Sequence, residues 1–125
     1  MARVLIVGQD PDTVDFSDPA IPPGMDAGKI RDGLALARKS LEDQGHEVAE
    51  VLTDPGETAA ATVEAALRGA AFDVVVIGAG IRLPPSRLML FETVINAVHR
   101  HAPDAAIAFN TNPADSAAAA ARWLG

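Results

Sequence analysis

The chain of 125 residues is 49% hydrophobic and 4% aromatic, and its formal net charge is −7. This length suits one domain with a single core, and the acidic balance argues against binding to nucleic acids or anionic membranes, which requires a basic surface. The chain has no cysteine, which excludes disulfides, thiolate catalysis and cysteine-ligated zinc. From the length, we predict that residues 1–125 form one domain.

The first predicted element is a strand at residues 3–8, RVLIVG. A continuous apolar run of this kind is typical of parallel strands that are buried on both faces. The run is shorter than the apolar core of a signal peptide, and no stretch reaches the roughly 18 apolar residues of a membrane span. We therefore expect a cytoplasmic protein with no membrane association.

A long connection, residues 9–24 with the sequence QDPDTVDFSDPAIPPG, follows this strand. Links from a strand to a helix usually have about 2–6 residues. This connection starts at the carboxyl end of a strand, where open α/β sheets bind ligands. It is therefore either a functional loop or a structural cover that packs Phe16 and Ile21 inward.

Four aspartates in this connection raise the question of a metal site. Counting from Asp10, the sixth and twelfth positions hold Asp15 and Ile21, where a calcium loop of the EF-hand type requires Gly and Glu. One or two carboxylates could still bind Mg²⁺ weakly, but aspartates beside prolines more often form turns. We expect turns and no metal site.

The next stretch predicts two helices with a strand between them. Residues 26–44 carry apolar residues at helical spacing and end at Gly45, and residues 58–68 form a second helix that ends at Gly69. Residues 47–52, EVAEVL, alternate in the way typical of an edge strand. The residues expected to face the core are Ile30, Leu34, Ala37 and Leu41 in the first helix and Val63, Ala66 and Leu67 in the second.

A third strand, DVVVIG at residues 73–78, leads into Gly78, Ala79 and Gly80. A dinucleotide-binding fingerprint needs a third glycine where this chain has Leu83, and it needs a helix that starts at once. We expect the two prolines that follow to delay the helix. The glycines therefore predict a tight turn rather than a phosphate-binding loop.

Arg82 is expected to emerge from this turn at the carboxyl edge of the sheet. There it would either bind a carboxylate or phosphate of a ligand, or pair with Asp10, Asp12 or Asp15 and hold the long connection in place. Arg87 could support either role.

The last part of the chain predicts a helix at residues 87–101, a strand at 105–109 and a helix at 113–124. In the first of these helices, Leu88, Phe91, Ile95 and Val98 lie on one face. Asn112 is expected to cap the final helix, with Pro113 at its first position. Asn110 and Thr111 directly follow the strand, so they should reach the same edge as Arg82.

The alternation of strands and helices predicts a three-layer α/β/α sandwich with a parallel four-stranded sheet of order 2-1-3-4, in the flavodoxin-like or Rossmann-like class. At its carboxyl edge we predict a pocket for a small anionic or polar ligand. Its candidate residues are Gln9, Asp10, Asp12, Gly78, Gly80, Arg82, Asn110 and Thr111.

The fourth strand carries no charge or proline to protect an exposed edge. A symmetric partner would cover that edge, so we predict a homodimer. Met89, Leu90 and Trp123 are expected to be exposed and to contribute to such a contact.

The order of RVLIVG, LEDQGHEV, FDVVVIG and FETVINAVHRHAPDAAIAF resembles a response-regulator receiver domain over most of the chain. The resemblance implies a regulatory protein with a flavodoxin-like fold. Of the acidic pair that receivers carry after the first strand only Asp10 matches, Gly78 replaces the phosphorylated aspartate, and Thr111 stands at the hydroxyl position. The receiver's lysine and the Ser/Thr-rich loop of flavodoxins have no counterpart, so we do not expect transfer of phosphate through an aspartate.

Three functions stay open from the sequence. The first is a non-enzymatic regulatory module that binds a ligand or a protein partner. The second is a small enzyme or nucleotide- or cofactor-binding protein that uses the pocket around Arg82, and the third is a structural subunit of an assembly. No residue pattern indicates a catalytic group, and none implies a cofactor.

Overall fold

The computed structural model describes residues 1–124 and contains a parallel four-stranded sheet. Its strands are β1 (Arg3–Gln9), β2 (Glu47–Thr53), β3 (Val74–Ile77) and β4 (Ala106–Phe109), in the order β2-β1-β3-β4. The helices are α1 (Ala27–Asp43), α2 (Ala59–Arg68), α3 (Ala79–Arg82), α4 (Leu88–His101) and α5 (Ser116–Ala121). The predicted fold class and strand order are confirmed, and the sheet fits the flavodoxin-like and Rossmann-like class.

Helices cover both faces of the sheet because the two central strands are apolar and buried at residues 4–7 and 74–77. On one face, Leu5 and Val75 pack with Val63 of α2 and Val94 of α4. On the other face, the strands pack against α1 and against the alanines of α5, which allow a close approach. This arrangement is a three-layer sandwich with an apolar cluster on each side of the sheet.

The buried face of α4 differs from the predicted one. Leu88 is 57% exposed, whereas Leu90 is buried together with Val94, Ala97 and Val98. The helix carries apolar residues over more than one face, so spacing alone could not identify the buried one. The predictions of an inward Leu88 and an exposed Leu90 are therefore wrong, while Met89 and Trp123 are exposed as predicted.

The end of the third strand also differs from the prediction. The helix α3 begins at Ala79, immediately after Gly78, and Pro84 follows it instead of delaying it. At Gly78 the backbone passes so close to β1 that a Cβ atom would lie 3.2 Å from the carbonyl oxygen of Val7. The tight turn predicted here is one turn of helix, because four residues suffice for it.

The final helix is shorter than predicted and has the predicted cap. A short 3₁₀ turn at Pro113–Asp115 precedes α5. The Asn112 side chain accepts a hydrogen bond from the amide of Asp115 at 3.2 Å, and the Asp115 carboxylate accepts one from the amide of Asn112 at 3.3 Å. This reciprocal capping box fixes the chain where it leaves β4.

An arginine contacts each outer strand of the sheet. Arg38 of α1 donates to the carbonyl of Val48 at 3.1 Å, and Arg122 donates to the carbonyl of Phe109 at 2.9 Å. Charged side chains on an edge strand oppose pairing with another chain. The exposed edge of the fourth strand is thus partly protected by Arg122, which the sequence of the strand alone does not predict. Within residues 1–124, no helix combines the length and the apolar character needed to cross a membrane.

Candidate functional site

A cavity of about 150 Å³ lies at the carboxyl edge of the sheet, between the ends of β1 and β3. The chain passes from β1 to β2 on one side and returns to β3 on the other, so this is the switch point where open α/β sheets bind ligands. Most of the wall is apolar, and many of its apolar side chains come from the long connection, α1 and β2. Its larger apolar side chains include Val14, Ile21, Met25, Ile30, Leu34 and Leu52.

The start of the long connection is anchored to the sheet. The amide of Asp10 donates to the carbonyl of Thr53 at the end of β2, at 2.8 Å. The side chain of Asp10 accepts from the amide of Asp12 at 2.9 Å and caps a 3₁₀ turn, Pro11–Thr13. Gln9 is buried and donates to the carbonyl of Thr13 at 3.1 Å. These contacts direct the chain back over the carboxyl edge.

The middle of the connection consists of turns formed by aspartates, as expected. One carboxylate oxygen of Asp15 accepts hydrogen bonds from the amide and the hydroxyl of Ser17, and one of Asp18 accepts from the amide of Ala20 at 2.9 Å. The bond from the Ser17 hydroxyl, then that from its amide, lower the pKa of Asp15, and the charge of Arg87 adds to the effect. Ile21 lines the cavity as the inward-packing interpretation expects, but Phe16 is 36% exposed.

The first two aspartates pair with an arginine that the sequence did not single out. Arg31 of α1 lies 2.8 Å from Asp12 and 3.6 Å from Asp10. The alternative in which Arg82 pairs with Asp10, Asp12 or Asp15 is therefore wrong, since no ion pair within residues 1–124 includes Arg82. In the part of the chain described here, no three His, Cys, Asp or Glu side chains come together as a metal site would require.

Arg82 turns away from the cavity. It donates to the carbonyl of Asn110 at 2.9 Å, and its guanidinium carbon lies 5.3 Å from the ring centre of Phe109. The cation over the ring and the hydrogen bond hold α3 against the end of β4. Arg82 is thus a structural contact between two elements and does not line the cavity.

Arg87 supplies the positive charge that the sequence assigned to Arg82. It is half-buried, lines the cavity, and donates from Nε to Oε1 of Gln9 at 3.0 Å. Arg87 ends a 3₁₀ turn, Pro85–Arg87, that follows Pro84. The change from α3 to this turn is what aims the two arginines in different directions.

Asn110 joins three elements at the same edge. It is 3% exposed, its Oδ1 accepts from the amide of Ala79 at 2.7 Å, and its Nδ2 donates to the hydroxyl of Ser116 at 2.9 Å. Both halves of the amide are therefore used to connect β4 with α3 and α5. Although it lines the cavity, its side chain already has its partners in the fold.

Thr111 is tied to the capping box that follows it. Its amide and its hydroxyl donate to the carboxylate of Asp115. Partial burial raises the pKa of Asp115, but the bonds from the Thr111 hydroxyl and from the amides of Thr111 and Asn112 outweigh burial and leave the pKa below its ordinary value. Thr111 thus favours the ionised form of Asp115 in the capping box after β4.

The structure brings five of the eight predicted site residues to the cavity wall. The residues that line it are Gln9, Gly78, Gly80, Asn110 and Thr111, and those that do not are Asp10, Asp12 and Arg82. Sequence analysis missed Arg87 as the main cation and the apolar side chains as the main wall. Val14 within the long connection and Met25 directly after it are apolar residues that were the available signal.

A scan against protein-family models finds no match for this chain, and a search of curated proteins finds none either. Function is therefore argued from the residues of the site.

Proposed function

We propose that the protein is a non-enzymatic ligand-binding module of regulatory type, whose cavity at the carboxyl edge of the sheet binds a small, mainly apolar molecule. The observation that carries the proposal is the cavity itself, which has apolar walls, lies at the switch point and is covered by the long connection. A concave apolar site with a few polar groups is the usual form of a small-molecule site. The long connection is then a functional loop.

The size of the cavity favours a small ligand. Sites for drug-sized ligands have volumes of about 300–1,000 Å³, whereas an apolar cavity of about 150 Å³ holds a molecule of the size of benzene. The volume here is about 150 Å³. A flavin or a dinucleotide is too large for it, which argues against the nucleotide- or cofactor-binding alternative.

The ionisable groups at the cavity favour binding over catalysis. Within residues 1–124, the ionisable side chains that line it are Asp15, Asp18 and Arg87. The aspartates accept backbone amides in their turns and Arg87 donates to Gln9, so each has a partner in the fold. A lowered pKa also makes Asp15 a poor general base at neutral pH.

The regulatory part of the proposal follows the resemblance to receiver domains. Gly78 stands at the position of the phosphorylated aspartate, so a ligand held by the loop after β1 would take over the role of the phosphoryl group. Incubation with acetyl phosphate should then give no gain in mass, and a phosphorylated product would contradict this part. The homodimer and the cytoplasmic location remain predictions.

Unfolding experiments with benzene, toluene and indole test the cavity. A compound that binds only the folded protein stabilises it by about 2.7 kcal/mol at 100 times its dissociation constant. Ile21→Trp should fill the cavity and abolish this stabilisation. Leu36→Trp, at a residue of α1 that is 61% exposed, is the matched control and should keep it. If a compound stabilises both variants alike, it does not bind in the cavity and the proposed function is wrong.

A further inference from the structure

Charges of both signs line the same cavity. Arg87 follows β3 in the chain, and Asp15 and Asp18 belong to the long connection after β1. Within residues 1–124, neither aspartate forms an ion pair with Arg87, since the ion pairs of the structure join other residues. The guanidinium and the two carboxylates at the cavity are therefore not joined to each other by a direct ion pair.

Each of these charged groups also keeps unused hydrogen-bonding capacity. Arg87 uses Nε for Gln9, and no bond within residues 1–124 occupies its two terminal nitrogens. Asp15 and Asp18 each use one oxygen in their turns, and no donor within the same residues reaches the other oxygen. A guanidinium with two free nitrogens suits a carboxylate, and free carboxylate oxygens suit an ammonium group.

From this arrangement we propose that the ligand is a zwitterion with an aliphatic side chain, a neutral α-amino acid of about the size of leucine. Its carboxylate binds Arg87, its ammonium group binds Asp15 or Asp18, and its side chain packs against Met25 and Leu34. This inference rests on the proposed function, because it assumes that the cavity is the binding site.

The presence of both positive and negative groups in the cavity wall favours a zwitterion over a ligand with a single charge. A plain anion that binds Arg87 also meets two carboxylates, and a plain cation that binds those carboxylates meets the guanidinium. A zwitterion places each of its charges beside the opposite one, and the apolar part of the wall accepts its side chain. The branched four-carbon side chain of leucine is smaller than benzene and fits the cavity, while the groups that bind its ammonium and carboxylate groups are half-buried or exposed and so lie toward the solvent side.

Calorimetric titration at neutral pH with three matched compounds tests the proposal. The compounds are L-leucine, 4-methylpentanoate, which lacks the ammonium group, and 3-methylbutylamine, which lacks the carboxylate. Leucine should bind roughly tenfold or more tightly than either of the others, because each lacks a partner for one charged wall. The comparison uses the unaltered protein, so it does not depend on how a variant folds.

Two variants then assign the charges. Arg87→Met should weaken the binding of leucine by roughly tenfold or more without weakening that of the amine, while Asp15→Asn combined with Asp18→Asn should weaken the binding of leucine without weakening that of the acid. Arg100→Met, an exposed arginine of α4 outside the cavity, removes the same charge and should change nothing.

The outcomes separate this inference from the proposed function. If the acid or the amine binds as tightly as leucine, or if benzene binds and leucine does not, the inference of a zwitterionic ligand is wrong. The proposal that the cavity binds a small molecule then still stands. If neither leucine nor any apolar compound binds, the proposed function fails as well.

Discussion

The two ends of the sheet are built differently. At the amino end, short links bring polar groups into direct contact: the amide of Ala2 donates to Nδ1 of His46 at 3.1 Å, and the amide of Arg3 donates to the carboxylate of Asp73 at 2.8 Å. A groove of about 520 Å³ beside β2 is open to solvent there and is lined by the Arg3–Glu47 ion pair. At the carboxyl end, a long connection arches over the strands and encloses the smaller, apolar cavity.

The comparison shows that the long connection accounts for the cavity, and thus for the candidate site, at the carboxyl end of the sheet. The same four strands run through both ends, so neither the sheet nor its register accounts for the cavity. At the carboxyl end, the side chains of Gln9, Asn110 and Thr111 form hydrogen bonds that hold the loops in position. The apolar residues of the connection are then held above the strands instead of collapsing into the core.

The largest effect is expected from removing the amide that joins three elements at the carboxyl end. Asn110→Leu leaves the half-buried amide of Ala79 and the buried hydroxyl of Ser116 without their partner, which should lower the free energy of unfolding by about 2–3 kcal/mol. Denaturant unfolding measures the loss. At the amino end, His46→Ala removes a half-buried acceptor and should cost about 1 kcal/mol or less. Equal losses would contradict the difference between the ends.

A smaller loss is expected where α1 packs on the turn after β4. A Cβ atom at Gly33 would lie 2.9 Å from Cβ of Pro113 and 3.0 Å from the amide nitrogen of Ala114. Gly33→Ala should therefore destabilise the protein by about 1–2 kcal/mol, although alanine favours a helix. Gly28→Ala in the same helix meets only the carboxylate of Asp26 and should be neutral or stabilising. A stabilising Gly33→Ala would show that this contact yields easily.

Acid should loosen the carboxyl end. Asp15, Asp54 and Asp115 follow β1, β2 and β4, and hydrogen bonds lower the pKa of each. The main donor is the Ser17 hydroxyl for Asp15 and the Thr58 hydroxyl for Asp54. For Asp115, burial raises the pKa, but hydrogen bonds from Thr111 and Asn112 outweigh burial. A pKa that is lower in the folded state than in the unfolded state stabilises the fold above the unfolded value, near pH 4, and the stabilisation is lost as the pH falls through the folded value.

Amide hydrogen exchange at decreasing pH measures this loss residue by residue. Below about pH 4, amides of the loops after β1, β2 and β4 should lose protection before those of Glu47 and Asp73 at the amino end, which donate to the backbone carbonyls of Ala2 and Arg3. Asp115→Asn and Thr111→Val should each reduce the acid dependence of unfolding, because each removes one partner of the same hydrogen bond. Simultaneous loss of protection at both ends would contradict the prediction.

The smallest effect on stability is expected at the two side edges of the sheet, where an arginine donates to a backbone carbonyl of each outer strand. Arg122→Ala exposes the carbonyl of Phe109 and should raise the fraction of dimer in sedimentation velocity, with only about 1 kcal/mol or less of lost stability. Arg38→Ala at the carbonyl of Val48 is the matched variant for the other side. An unaltered protein that is monomeric at micromolar concentration would contradict the predicted homodimer, and unchanged association in both variants would contradict the protective role of these arginines.

The sequence by itself determined the layers of the fold and the order of the strands. The apolar runs at residues 3–8 and 73–78 can be buried on both faces only in the middle of a parallel sheet, which assigns β1 and β3 to the centre. The cap at Asn112 was equally readable, because it depends on residues only three positions apart. These features follow from local periodicity and burial, which the sequence expresses directly.

Only the tertiary structure decided which residues form the site. Arg82 and Arg87 are five residues apart and chemically identical, and the single turn of α3 sends one onto Phe109 while the turn after Pro84 sends the other into the cavity. The path of the long connection, which makes the roof, depends on contacts with Thr53 and with α1 that lie far away in sequence. The direction of a side chain at the end of a strand is set by such distant contacts, so the position of Arg82 in the sequence could not predict its role.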